Sequence, residues 1–218
     1  LAPDYNFVLR DEHEYLQAGI EVLRKLSGGK VHLSMRAGAE GRMPEFKGVE
    51  LHTFAGKHPA GNVGVQIHHI DPINKGEVVW TVNMQDLAII GRLVRTGHVD
   101  MTRIIAVGGS EVSNPQYYRV IAGARVDSFL GGNLKPQKEG DSVRIISGNV
   151  LTGTKTAMDG FLGYYANQVT VIPEGDKYEL LGWAMPRFKK FSVSRAYFSW
   201  LCPKKAYRLD TNMNGGER

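Results

Sequence analysis

The sequence predicts an α/β domain followed by a smaller α+β domain, and three observations carry that expectation. Amphipathic helical runs alternate with short β-type runs over residues 1–107, the order that builds right-handed βαβ units and a largely parallel sheet. From residue 108 to 185, turn pairs such as Gly108-Gly109, Asn114-Pro115, Gly131-Gly132 and Gly140-Asp141 cut the chain into short strands. From 186 to 218 the composition shifts: Pro186 to Arg208 carries seven Lys or Arg and no acid, interleaved with Phe188, Phe191, Tyr197, Phe198 and Trp200, and reads as a connector.

The elements follow in order. Asp11 is placed to cap a helix over 11–27, with Glu14 three residues on and Leu16, Ile20, Leu23 and Leu26 at helical spacing until Gly28-Gly29 stops the run. Val31 to Met35, Val49 to Phe54 and Val78 to Val82 are β-type runs. Asn83 then opens a second helix through Leu87, Ile90, Leu93 and Val94, closed by Gly97, and Arg103 to Val107 is a further strand of the first domain. In the second domain, strands are expected at Tyr117 to Ile121, Val143 to Val150 and Gln168 to Ile172, with one short helix near Val126 to Leu130.

Composition narrows the function classes. At 218 residues, 42% apolar and 22% charged, the chain is long enough for one large or two modest cores and is not of a disordered type. No apolar run approaches the roughly 20 residues that span a bilayer. Cys202 is the only cysteine, which excludes a disulfide framework, a cysteine zinc site or an iron–sulfur cluster within one chain and fits a reducing cytoplasm. The net charge of +5 and a pI near 9.3 would suit an anionic lipid, a nucleic acid or an acidic protein without choosing among them. A start at Leu1 and an end at Asn-Gly-Gly-Glu-Arg read as a piece of something longer.

The densest chemistry lies between Gly56 and Pro72, where Lys57, His58, His68 and His69 share a turn-rich segment with Pro59, Gly61 and Gly64. Glycines and proline there let the chain bend sharply or approach a ligand closely. Val63, Ile67 and Ile70 fit a short helix that Pro59 could lead into, while Val63, Val65 and Ile67 fit a strand; the helix is favoured. His52, His58, His68 and His69 lack the H-E-x-x-H and H-x-H spacings and adjacent histidines on one element point apart, so no metal is expected.

Other motifs are absent or bland. Neither a P-loop nor a G-x-G-x-x-G after a strand occurs, so a dinucleotide in the usual glycine-rich turn has no support. Ser110 lacks a G-x-S-x-G elbow and reads as a turn residue, and Asp71, Asp86, Asp100 and Glu111 sit where capping or turns account for them. The aromatic and basic residues after Pro186 suit stacking on bases with lysines along phosphates, but without a nucleic-acid fold signature a solvated or partner-facing linker is the simpler expectation.

A family resemblance rests on Thr53-Phe54-Ala55-Gly56-Lys57-His58-Pro59-Ala60-Gly61 and Ile67-His68-His69-Ile70-Asp71-Pro72. Val79-Trp80 with Asn83 and Gln85-Asp86, Arg103-Ile104-Ile105-Ala106, Arg144-Ile145-Ile146-Ser147-Gly148, Asn167-Gln168-Val169 and Gly182-Trp183 extend it in order and spacing over essentially the whole chain. These residues resemble the A subunit of the sodium-translocating NADH:quinone oxidoreductase, with the His-Pro-Ala-Gly loop as the most specific element.

That resemblance implies a Rossmann-like domain over 1–107, similar to the flavin subunit of respiratory complex I, and a β-grasp domain of the soluble-ligand-binding type over 108–185, whose opening matches Val112-Ser113-Asn114-Pro115 through Tyr118 and Gly123. It implies a fragment lacking the family's amino- and carboxy-terminal regions. It also implies a peripheral subunit on the cytoplasmic face of the bacterial inner membrane, with no flavin, nicotinamide or other redox centre of its own. Its partners would be the other subunits of the pump, chiefly one in the membrane, and quinone; the isolated chain would not be catalytic. Gly56, Lys57, His58, Pro59, Gly61, His68 and His69 are the candidate surface, meeting either a quinone or a neighbouring subunit. The competing expectation is a nucleic-acid-binding module using the segment after Pro186.

Overall fold

A computed structural model describes residues 3–39, 44–57, 59–137, 139–175, 179–192, 194–207 and 211. The chain divides into an N-terminal unit, Asp4–Met101, and a C-terminal unit from Thr102 onward, with which Leu1–Pro3 is grouped.

In the N-terminal unit a one-turn helix α1, Tyr5–Val8, is capped by Asp4, whose carboxylate accepts the Asn6 N–H at 3.0 Å. Helix α2, His13–Ser27, buries Leu16 and Ile20 and ends at Gly28 in the left-handed conformation (φ 62°). The capping position is Glu12 and not Asp11, because Asp11 turns its carboxylate to Arg10, and the Glu12 side chain makes no capping hydrogen bond. Strands β1, His32–Arg36, and β2, Glu50–Phe54, pair in parallel with His32 opposite Glu50 and Ser34 opposite His52. Helix α3 is Val63–Ile70, and helix α4, Met84–Thr96, runs from an Asn83 cap that accepts the Asp86 N–H at 3.0 Å to Gly97 at φ 74°.

The unit is built on the contact between α2 and α4, and two glycines permit its closeness. A Cβ on Gly19 would lie 2.6 Å from the Leu87 carbonyl oxygen, and one on Gly91 would collide with the main chain of Tyr15. Arg92, buried on α4, reaches Asp100 at 3.2 Å and Glu12 at 3.6 Å, joining the start of α2 to the end of α4.

Further features differ from the sequence expectation. Val78 to Val82 forms no strand: Val78, Val79, Trp80 and Val82 are exposed, Trp80 at 86%, and among the described residues no neighbouring strand supplies the pairing that β-branched residues need to become a sheet. The strand expected at Arg103 to Val107 is present as β3, Thr102–Gly108, but it belongs to the C-terminal unit's sheet, so the division falls at Thr102 and the described parallel sheet of the first unit has two strands.

In the C-terminal unit β3 is followed by β4, Gln116–Ile121, a short helix α5, Asp127–Leu130, and strands β5, Val143–Ser147, β6, Thr154–Thr156, and β7, Gln168–Pro173. The strand order is β4-β3-β7-β5-β6, with β3 and β7 parallel and every other neighbouring pair antiparallel. The central strands supply the core: Ile105, Val107, Val169 and Val171 pack with Val126, Phe129 and Leu130 of the α5 segment and with Val112, Ile145 and Leu162. Each such side chain contributes roughly 1.5–3 kcal/mol by leaving water. Gly109, at φ 122°, lets the chain leave β3 against the Val171 main chain, whose nitrogen is 2.6 Å from where a Cβ would stand.

Candidate functional site

The Gly56–Pro72 segment folds as a turn leading into α3. Gly56 at φ 134° makes a bend that an L side chain would resist. The Lys57 carbonyl accepts the Ala60 N–H at 3.0 Å and the Pro59 carbonyl accepts the Asn62 N–H at 2.8 Å, while the Gln66 side-chain amide donates to the Ala60 carbonyl at 3.3 Å and ties α3 back to the turn. The helical alternative for Val63, Ile67 and Ile70 is the one adopted.

Helix α3 reads Val-Gly-Val-Gln-Ile-His-His-Ile, yet none of its eight residues is buried. An amphipathic helix ordinarily turns its apolar side to a core; here Val63 is half exposed and the apolar residues lie open or only partly covered. His68 and His69 occupy the last turn, both exposed, with ring centroids 5.5 Å apart and planes at 70°. Imidazoles at that end face the helix's partial negative charge. Lys57, Pro59 and Gly61 are exposed in the preceding turn, and His58 lies outside the described residues. The structure therefore groups Lys57, Pro59, Gly61, His68 and His69 in one open segment of chain with α3 as its apolar part.

His52 goes elsewhere. The β1–β2 pairing puts it beside His32, with one ring nitrogen donating to the other across 3.0 Å, and Glu50 stands 3.5 Å from the same His32 nitrogen. Lys30 donates to the other Glu50 oxygen at 2.7 Å; that bond, with the ammonium charge, holds the Glu50 carboxyl below its ordinary range and raises Lys30 above its own. Sequence grouping missed His32 and Glu50, which are 20 and 2 residues away from His52, because only the strand register joins them.

The basic aromatic segment is folded on itself. Phe188 meets Phe198 edge to face at 5.8 Å, Phe191 packs on Tyr207 at 6.0 Å, and the Tyr207 hydroxyl donates to the Ser199 carbonyl at 2.8 Å. Arg187 pairs with Glu179, Lys190 stands 3.7 Å from the same carboxylate, and the Lys205 ammonium donates to the Phe188 carbonyl at 3.3 Å. Phe188, Phe191, Phe198 and Trp200 nonetheless stay about half exposed, so this packing leaves aromatic surface open to a partner. Among the described residues no helix is long and apolar enough to cross a membrane.

Comparison with known proteins adds a family. Residues 1–99 match the NqrA second alpha/beta domain and residues 104–157 the NQRA C-terminal domain, meeting close to the division at Thr102. The chain is 39% identical over 220 residues to the Na(+)-translocating NADH-quinone reductase A subunit of Neisseria meningitidis serogroup B, of which it covers 48%. It is 39% identical to that of Rhodopirellula baltica, covering 47%, and 38% identical to that of Pasteurella multocida, covering 48%, each match using the whole chain. The chain thus spans about half the length of the curated relatives it matches.

Proposed function

Because the chain belongs to the NqrA family, the A subunit of the Na(+)-translocating NADH-quinone reductase, we propose that it works as a peripheral part of such a sodium-pumping enzyme, on the cytoplasmic face of the bacterial inner membrane. In this proposal it shapes the quinone side of the complex and supports assembly, carries no redox centre of its own, and is not catalytic alone. Its partners are the other subunits, chiefly one in the membrane, and quinone.

One observation carries the proposal: α3 is an apolar helix without a buried residue, flanked by the exposed donors Lys57, His68 and His69. Such a surface suits a ligand or neighbour that is apolar with a few polar points. A quinone ring fits that description, since its carbonyl oxygens accept hydrogen bonds from imidazole or ammonium and its reduction consumes protons. The open two-stranded sheet β1–β2 and the exposed Val78-Val79-Trp80 run also favour an N-terminal unit that is covered in a larger assembly.

The finer fold assignment belongs to the same proposal. The C-terminal unit, renumbered from β3, has strand order 2-1-5-3-4 with a central parallel pair and a helix after the second strand, which supports a β-grasp domain. Parallel β1 and β2 between α2 and α4 in chain order support a Rossmann-like domain related to the complex I flavin subunit.

The test is a photo-crosslinking amino acid at Val63 or Ile67 in the assembled enzyme. Adducts to a membrane subunit or to quinone are expected, and quenching by water with no adduct contradicts the proposal. The nucleic-acid alternative predicts submicromolar, steeply salt-dependent oligonucleotide binding by the chain, and no binding leaves the quinone-side proposal ahead.

A further inference from the structure

His32, Glu50 and His52 project from one face of the β1–β2 pair. Residues opposite each other across parallel strands, and residues two apart on one strand, share a face of the sheet. His32 is opposite Glu50, and His52 is two residues beyond Glu50. One potential ligand atom from each, a ring nitrogen or a carboxylate oxygen, lies within 4.8 Å of the other two.

Two of the three separations match a metal's coordination shell, and the third, between His52 and Glu50, lies within 4.8 Å. Zinc at about 2.0–2.1 Å from nitrogen and oxygen ligands in a tetrahedron sets those ligands about 3.3 Å apart. Here the His32 and His52 nitrogens are 3.0 Å apart, and the His32 nitrogen is 3.5 Å from the Glu50 oxygen. The rings are tilted by 42° with centroids 5.1 Å apart, so they converge through their nitrogens and do not stack. Each imidazole can carry its proton on the other ring nitrogen, which turns both inward nitrogens into lone-pair donors. Lys30, bonded to the second Glu50 oxygen at 2.7 Å, fixes the carboxylate with its free oxygen toward the histidines, the role that outer hydrogen-bond partners play for ligating carboxylates.

We propose that His32, Glu50 and His52 form a binding site for a divalent transition-metal ion of the zinc type. Two imidazoles and one carboxylate suit zinc among the available divalent ions, and the three side chains leave a fourth position open. The site is partly exposed, Glu50 at 45% of its side chain and His32 at 29%, so the fourth ligand is water or a group from a neighbouring chain. It shares no residue with the α3 surface, and it does not depend on the quinone assignment.

The experiment is calorimetric titration of zinc chloride into the chelator-treated chain, with His32→Ala, Glu50→Gln, His52→Ala and the control His98→Ala. One zinc per chain is expected, with binding at least about tenfold weaker in each of the three site variants and unchanged in His98→Ala. Zinc should also raise the melting temperature of the parent chain and not of Glu50→Gln, which is nearly isosteric and keeps the strand intact. No zinc binding, or zinc binding that all three variants retain while a His68→Ala/His69→Ala chain loses it, overturns the proposal.

Discussion

Gly91 on α4 stands so close to Tyr15 on α2 that a Cβ at position 91 would sit 2.9 Å from the Tyr15 Cα and overlap its carbonyl. Main chain cannot yield as a side-chain tip can, so the two helices would have to separate. Gly91→Ala is expected to destabilise the chain by about 2 kcal/mol or more in a denaturant titration. Gly61→Ala, with nothing within 4 Å of the added carbon, is expected to change stability by less than about 1 kcal/mol.

The ion pairs that join the same helices should separate by burial. Arg92 is buried between Glu12 and Asp100, and Arg92→Met leaves the largely covered Glu12 without its cation; a loss on the order of 3 kcal/mol is expected. Arg95 and Glu14, 3.3 Å apart but well exposed, form the contrasting pair, and Arg95→Ala should cost less than about 1 kcal/mol. Equal losses in the two variants would show that burial does not set the difference.

Glu174 makes acid stability predictable in the C-terminal unit. Hydrogen bonding to Arg144, seconded by Lys155, holds its carboxyl at about 2 against an ordinary 4.5. A depressed carboxylate stabilises the fold above its unfolded value and loses that contribution as pH falls through its folded value. Stability should therefore decline between about 4.5 and about 2, and Glu174→Gln should be less stable at neutral pH and flatter across that window. Parallel pH profiles for the two proteins would contradict the assignment.

Much of the fold could be read from the sequence where the signal is local. Asn83 and Gly97 bracket α4 because a cap and a left-handed terminus are chemistry of single residues, and Gly28 does the same for α2. Long-range choices were not legible. A β-type run such as Thr102–Gly108 does not state which sheet it joins, and here it pairs with β4 and β7. Val78 to Val82 has strand propensity but no described partner strand, and propensity without pairing leaves an extended, exposed segment. At the site, Lys57, His68 and His69 share one segment in sequence and in structure, but His52 leaves them for His32, since a register between strands 20 residues apart is invisible in a linear pattern.

The two histidines that end α3 distinguish a working surface from a packing one. Neither is buried, so His68→Ala and His69→Ala should leave unfolding within about 0.5 kcal/mol of the parent. In the assembled enzyme the double variant is expected to lower quinone reduction severalfold while NADH oxidation with an artificial electron acceptor is retained. A loss of stability without that split would assign the histidines to structure.

The most direct test of the quinone-side assignment is photolabelling of the assembled complex with a reactive quinone analogue, followed by peptide mapping. Labels within Gly56–Pro72, diminished by excess quinone, are the predicted result. Labels confined to other polypeptides of the complex, or to parts of this one outside residues 1–218, would contradict direct quinone contact by this chain.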